Sequence, residues 1–151
     1  MALRGQHEHN LDAKDRLTIP ASHRAGLAGG VVAMAGVEPC VELWPREAAE
    51  RMEESFLNPL NQMGEDARRL RRRFFGSSEE GELDAAGRIR LPSHLIDHAS
   101  LSGGCLVVGV GDHLEIWNRS AWGTESEQVN SSTKELTEKL ADRFPSAEAA
   151  S

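Results

Sequence analysis

Leu11-Asp12-Ala13-Lys14-Asp15-Arg16-Leu17-Thr18-Ile19-Pro20 is a stretch that the chain writes twice. The second version is Leu83-Asp84-Ala85-Ala86-Gly87-Arg88-Ile89-Arg90-Leu91-Pro92. Both read Leu-Asp-Ala, two variable residues, Arg, an apolar-x-apolar triplet and Pro, and their aspartates stand 72 positions apart. Self-similarity at a fixed offset marks a repeated structural unit. The echo continues beyond the proline. Gly29-Gly30-Val31-Val32-Ala33-Met34 and Glu42-Leu43-Trp44 match Gly103-Gly104-Cys105-Leu106-Val107-Val108 and Glu115-Ile116-Trp117. The offset drifts to 74 at the glycines and 73 at the tryptophans, so small insertions separate two copies of one ancestral unit.

Each copy predicts the same elements. Apolar residues alternate through Arg16 to Ile19, so this run and His9 to Leu11 predict a short hairpin about a turn-prone Asp-Ala-Lys-Asp. Pro20 suits the first turn of a helix, where a missing N–H leaves nothing unsatisfied, and Gly29-Gly30 stops that helix. Val31 to Met34 and Val41 to Trp44 predict a second hairpin. Helix formers follow from Ala48 to Leu60, and Asp66 to Phe75 predicts an arginine-rich helix closed by Gly76. Ser77 to Gly81 reads as a connector. The second copy repeats hairpin, helix (Pro92 to Ala99) and hairpin, and a last helical region begins near Ser120.

A two-stranded hairpin alone is marginal in water. Two such units therefore predict one shared core, with strands interleaved about a pseudo-twofold axis in a small barrel. The two Asp-x-x-x-Arg turns would then lie side by side on one face. Four regions follow: 1–60, the first repeat with its helix; 61–80, the arginine-rich helix and connector; 81–122, the second repeat; and 123–151, a helical then disordered acidic tail.

Composition narrows the function. The 151 residues carry a net charge of −7, which disfavours indiscriminate nucleic-acid binding, but the distribution matters more than the sum. Residues 1–24 hold Arg4, Lys14, Arg16 and Arg24 against Glu8, Asp12 and Asp15, whereas residues 123–151 are predominantly acidic. No apolar run approaches the length of a membrane span, and the first residues lack the apolar centre of a signal peptide, so the expected location is the cytoplasm. Cys40 and Cys105 sit in apolar runs and read as small core residues, not as a disulfide.

Arg16 and Arg88 are the sharpest candidates for nucleic-acid contact. An arginine on a tight turn presents a planar fork suited to guanine O6 and N7 in the major groove. The same residues would also brace their own turns by pairing with Asp12 and Asp84, and a carboxylate that orients a guanidinium also preorganises it. Lys14 and Arg4 read as further phosphate or base contacts. Arg90, alternating with Ile89 and Leu91, points outward. The arginines of 68–73 spread around Leu70 and Phe74 and read as a solvated or subunit-contacting face.

Six histidines include His94 and His98 four apart on a predicted helix, yet no complete ligand set accompanies them, so no metal is expected. His113 reads as structural, and Trp44 and Trp117 as core anchors. No nucleophile elbow, phosphate loop or dinucleotide fingerprint is present, so the expectation is a protein without enzymatic activity, cofactor or small-molecule substrate.

Arg4-Gly5, Asn10-Leu11-Asp12-Ala13-Lys14 and Arg16-Leu17-x-Ile19-Pro20 resemble the first signature of the MraZ family of bacterial transcriptional regulators. Phe75-Gly76, Leu83-Asp84-x-x-Gly87-Arg88-Ile89-x-Leu91-Pro92 and Val108-Gly109-x-Gly111-Asp112-His113-Leu114-Glu115-Ile116-Trp117 resemble the second. The likeness runs from about Leu3 to Trp122. It implies an α+β fold of duplicated β-α-β units, forming a pseudo-twofold double swapped-hairpin barrel of the AbrB-like type with additional helices. It implies a nucleoid-associated regulator, with repression the expected sign, acting on the division and cell-wall gene cluster. Such a protein binds short G-rich promoter repeats as a homo-oligomeric ring with its basic turns toward DNA. One position departs from the family pattern: Asp15 stands where glycine is usual and where the second copy has Gly87. The alternative is a protein-interaction or oligomerisation module of the antitoxin type, a role that swapped-hairpin folds also fill.

Overall fold

The computed structural model describes residues 2–60 and 63–143. The expected disordered stretch Pro145 to Ser151 lies outside them. The described residues fall into two compact units, one ending at Arg119 and the other beginning at Ser120.

In the first unit the chain runs β1 (Gln6–Asn10), β2 (Arg16–Thr18), α1 (Ala21–Leu27), β3 (Val31–Ala35), β4 (Cys40–Pro45) and α2 (Arg46–Met52). A π-helical turn, Glu53–Leu57, extends α2. Then come α3 (Glu65–Ser77), β5 (Glu79–Gly81), β6 (Arg88–Arg90), α4 (Ser93–Ala99), β7 (Gly104–Gly109) and β8 (Leu114–Asn118). The last helix, α5 (Arg119–Lys139), carries the chain into the second unit, and a short 3-10 turn, Ala141–Arg143, follows it. Pro20, Pro45 and Pro92 each stand immediately before a helix, where their fixed φ turns extended chain into helix without stranding an N–H.

The duplication is written into the sheet. Its antiparallel order is β1-β7-β8-β4-β3-β5, and β2 pairs with β6 in a separate two-stranded ribbon. Exchanging each strand for its counterpart in the other copy leaves the six-stranded order unchanged, read from the far end. The centre is the β4–β8 pair, with Glu42 directly opposite Glu115. The copies also trade strands: β1 pairs with β7 of the second copy, and β5 with β3 of the first.

Three expectations change. No ladder forms between β1 and β2, because each strand finds its partner in the other copy; the segments between them touch through the Leu11–Leu17 bridge and the Asp12 N–H to Arg16 O bond. The connector around residues 77–81 contains a strand, β5, held by its ladder to Val31, Val32 and Ala33. The barrel does not close. Among the described residues no strand joins β1 to β5, since β5 has three residues, two of them exposed glutamates, and β2 and β6 pair only with each other.

Alternation assigns the faces. On one side of the sheet Val31, Ala33, Val41, Leu43, Val107, Leu114 and Ile116 pack against Leu17, Ile19, Ile89 and Leu91 of the ribbon and against Leu27 and Leu95 of α1 and α4. Leu17, Ile19, Leu27 and Leu95 are fully buried, and each such side chain contributes about 1.5–3 kcal/mol through lost apolar hydration. On the opposite side Val32, Met34 and Trp44 meet Ala48, Ala49 and Met52 of the α2 segment and Phe74 of α3. Trp44 and Trp117 are buried as anchors. Each also donates its indole N–H, at 2.9 Å, to the glutamate two residues earlier.

Candidate nucleic-acid interface

The two Asp-x-x-x-Arg turns have one geometry. In the first, Asp12 Oδ1 accepts the backbone N–H groups of Lys14 and Arg16, each at 2.9 Å, and Oδ2 accepts Arg16 Nε at 2.7 Å. In the second, Asp84 Oδ1 accepts from the N–H groups of Ala86 at 3.0 Å and Arg88 at 2.8 Å, and Oδ2 accepts Arg88 Nε at 2.9 Å. The backbone closes each loop in the same way: Asp12 N–H donates to Arg16 O and Asp15 N–H to Asp12 O, matched by Asp84 to Arg88 and Gly87 to Asp84. The carboxylate is thus an internal template, saturating turn amides that would otherwise need water.

The electrostatics follow. The Arg16 backbone N–H is the main cause that holds the Asp12 carboxyl down to about 2, opposed by desolvation and aided by Lys14 N–H and the Arg16 guanidinium. Asp84 is depressed in the same direction, chiefly by the Arg88 backbone N–H. Both are ionised at neutral pH, and each fixes its arginine through Nε. Among the described residues, the terminal nitrogens of Arg16 and Arg88 have no hydrogen-bond partner. With the side chains 29% and 34% exposed, these nitrogens are the part of each fork left for a ligand.

The ribbon brings the turns together. Arg16 pairs with Arg90, Leu17 with Ile89 and Thr18 with Arg88. Since Leu17 and Ile89 point into the core, Arg16, Thr18, Arg88 and Arg90 share the other face. The antiparallel register sets the turns at opposite ends of this ribbon, so they share a face without being immediate neighbours. Each turn is also stitched to the other copy, Asp15 O accepting from Leu91 N–H and Gly87 O from Ile19 N–H. Lys14 is exposed beside Arg16. Arg4 is exposed but precedes β1, at the opposite end of that strand from the Asp12 turn, so the structure does not gather it with the other three.

Two features escaped the sequence reading. Arg24 of α1 donates Nε to Ile19 O at 2.9 Å and lies so close over Gly87 that a Cβ there would collide with its guanidinium. It adds a second cation, beside Arg88, to the second turn. Its position 72 residues on is Ile96, so the duplication gave no signal. The second feature is a groove of about 570 Å³ that holds Asp15, Glu79, Glu80 and Glu82 together with Arg90, an acidic flank beside the first turn.

The arginines of α3 serve largely internal roles. Arg71 and Arg73 donate to Leu57 O and Gly36 O, Arg68 donates to Met63 O, and Arg69 pairs with Glu65. His94 and His98 place Nε2 against the carbonyls of Ser77 and Glu38. Among the described residues no helix is long and apolar enough to cross a membrane.

A duplicated α+β protein with two carboxylate-braced arginine turns on one ribbon is the class that fold and site define. The model of a family described as "MraZ protein, putative antitoxin-like" matches residues 2–73 and again 74–144, one match per copy. Proteins named transcriptional regulator MraZ are similar over 91% of this chain and 96% of their own length: that of Heliobacterium modesticaldum is 38% identical, that of Natranaerobius thermophilus 36%, and that of Lactobacillus delbrueckii subsp. bulgaricus 37%. The chain belongs to the MraZ family.

Proposed function

We propose that this chain is a DNA-binding transcriptional regulator that reads repeated G-rich promoter boxes as a homo-oligomer. The observation that carries this reading is the pair of braced arginines, Arg16 and Arg88, on the outward face of one ribbon, each held through Nε with its terminal nitrogens unpaired among the described residues. The names of its relatives agree with a role in transcription. Arg16 and Arg88 contact guanine, and Lys14 the neighbouring phosphates; Arg4 reaches the backbone from outside the ribbon. The regulated genes are the division and cell-wall cluster, the effect is repression by promoter occupancy, and the assembly is a ring.

A ring matters physically because one subunit offers few cations, and a handful of phosphate contacts binds weakly and is sensitive to salt. Joining several subunits to several boxes makes later contacts intramolecular and multiplies the affinity. The test is DNA affinity on a fragment of the protein's own upstream region, at two salt concentrations, for wild type and Arg16→Ala. The expected result is loss of specific binding with oligomer size unchanged, and a sharp penalty when the spacing between boxes is altered. Unchanged binding by the variant would reduce Arg16 to a brace. A wild type that binds no DNA specifically at either salt would instead favour a protein-interaction module, for which the acidic groove of Asp15, Glu79, Glu80 and Glu82 is the suited surface.

A further inference from the structure

Away from the ribbon, the centre of the large sheet concentrates unusual chemistry. Cys40-Val41-Glu42-Leu43-Trp44 and His113-Leu114-Glu115-Ile116-Trp117 are counterparts at an offset of 73, so Cys40 corresponds to His113 and Glu42 to Glu115. The β4–β8 register lays Glu42 across from Glu115, and alternation puts Cys40, Glu42, His113 and Glu115 on one face. The ligand atoms of Cys40, Glu42 and Glu115 all lie within 4.8 Å of one another. His113 Nε2 stands 3.9 Å from Glu42 Oε1 and 3.9 Å from Glu115 Oε2. The two carboxylates are only 12% and 18% exposed, and Cys40 is fully buried.

His113 distinguishes this cluster from a mere gathering of acids. Its Nε2 is buried and makes no hydrogen bond, standing at ion-pair distance, but beyond hydrogen-bond length, from an oxygen of each of two carboxylates. A buried polar atom left so is costly and calls for an explanation. The other ring nitrogen, Nδ1, is held by Asp112 Oδ1 at 2.8 Å, and the ring is stacked on Trp44 with centroids 4.1 Å apart. A carboxylate on one imidazole nitrogen with the other aimed at a cluster of donors is the outer-shell arrangement of metal-binding histidines. The carboxylates have outer partners too, in the indole N–H groups of Trp44 and Trp117.

We propose that Cys40 Sγ, His113 Nε2 and one carboxylate oxygen each from Glu42 and Glu115 form a binding site for a soft-to-borderline divalent cation of the zinc type, clamping the two copies of the repeat together at their pseudo-twofold axis. One sulfur, one nitrogen and two oxygens is a donor set suited to Zn²⁺ in tetrahedral geometry, with Zn–S near about 2.3 Å and Zn–N or Zn–O near about 2.0–2.2 Å. Ligand atoms in such a site sit about 3.3–3.8 Å apart, against 3.9 Å from His113 Nε2 to each carboxylate and up to 4.8 Å among Cys40, Glu42 and Glu115, so the four side chains must draw inward around an ion. On binding, the Cys40 thiol yields its proton to solvent and the sulfur–metal bond replaces it; no oxidation state changes. The ion enters from a groove of about 400 Å³ lined by Glu42 and His113 and walled by Trp44, Met52, Leu57 and Phe74.

The test is titration of the full-length, chelator-treated protein with Co²⁺, which reports thiolate ligation as a near-ultraviolet charge-transfer band and tetrahedral geometry as an intense visible band. Wild type should bind one Co²⁺ per chain with both bands, and Zn²⁺ should displace it. Cys40→Ser should lose the charge-transfer band, Cys105→Ser should keep it, and His113→Gln and Glu115→Gln should each weaken binding at least tenfold. Zn²⁺ should raise the Tm of the wild type and raise that of His113→Gln by less at the same concentration. The wild type alone decides if a variant fails to fold: no saturable band, or a stoichiometry well below one, overturns the proposal. A band that survives in Cys40→Ser or disappears in Cys105→Ser overturns it as well.

Discussion

The two Asp-x-x-x-Arg turns share every hydrogen bond of their brace and differ in what surrounds it. The first carries Lys14 and has Asp15 at φ 59°; the second carries Ala86 and has Gly87 at φ 77°. Both positions are left-handed, a conformation that glycine adopts freely and that aspartate tolerates better than most residues. The second is closely covered by Arg24, whereas Asp15 is exposed. The glycine there is required twice, by its dihedral and by the guanidinium crossing it, whereas at the first turn the dihedral alone must be met. The shape of the brace is set by Asp and Arg, and the residues between them set the local charge.

The largest effect tests whether the turns depend on one support. Leu17→Ala and Ile89→Ala each empty the buried side of the ribbon beneath both arginines. Each should cost about 2–5 kcal/mol of stability, read from urea unfolding, with nearly equal losses. A marked inequality would show that the copies contribute unequally to the core.

Next comes DNA affinity. Arg88→Ala should weaken specific binding by about 1–3 kcal/mol per contacted site, as should Arg16→Ala. Lys14→Ala should weaken binding evenly across sequences and reduce the salt slope by about one. Specific binding lost in only one of the two arginine variants would break the functional equivalence that the matching geometry implies.

A smaller effect comes from exchanging the left-handed residues. Gly87→Asp must strain its dihedral and displace Arg24, and should cost about 1–2 kcal/mol. Asp15→Gly should change stability by less than about 1 kcal/mol, because the relieved dihedral is offset by a freer unfolded chain. Its clearer signature is tighter DNA binding, since a negative charge leaves the flank of Arg16. Weaker binding by Asp15→Gly would mean that the acid itself makes a contact.

The smallest effect is an acid-limb difference. The folded-state pKa of Asp12 lies below its ordinary 3.8, so its stabilising contribution is complete above that value. The contribution drains away as the pH falls from 3.8 toward about 2. Asp84 shifts in the same direction. Urea midpoints measured down this interval should fall less steeply in Asp12→Asn and Asp84→Asn than in wild type; parallel curves would assign acid sensitivity to other carboxylates.

Much of this was legible because the sequence repeats. The 72-residue offset located both turns, and their composition alone predicted Asp12–Arg16 and Asp84–Arg88 as braces. Pairing partners were not legible. Gln6–Asn10 finds its ladder on Gly104–Val108, a contact that no local pattern encodes. Glu79-Glu80-Gly81 is extended because β3 offers it a free edge, and strand formation of that kind depends more on context than on propensity. Arg24 was invisible because only one copy has it. Cys40 and His113 were hidden for the opposite reason: they are counterparts, but of different residue types, and each alone looked like ordinary packing.

The traded strands β1 and β5 have a consequence for how such a molecule can change. In a symmetric dimer of two identical short chains, every substitution is made in both halves at once and must suit both settings. Here the two halves are permanently interlaced yet spelled separately, so one half can be revised while its partner stays as it was. Asp against Gly, Lys against Ala and His against Cys record that freedom, with a single chain carrying two independently editable versions of one part.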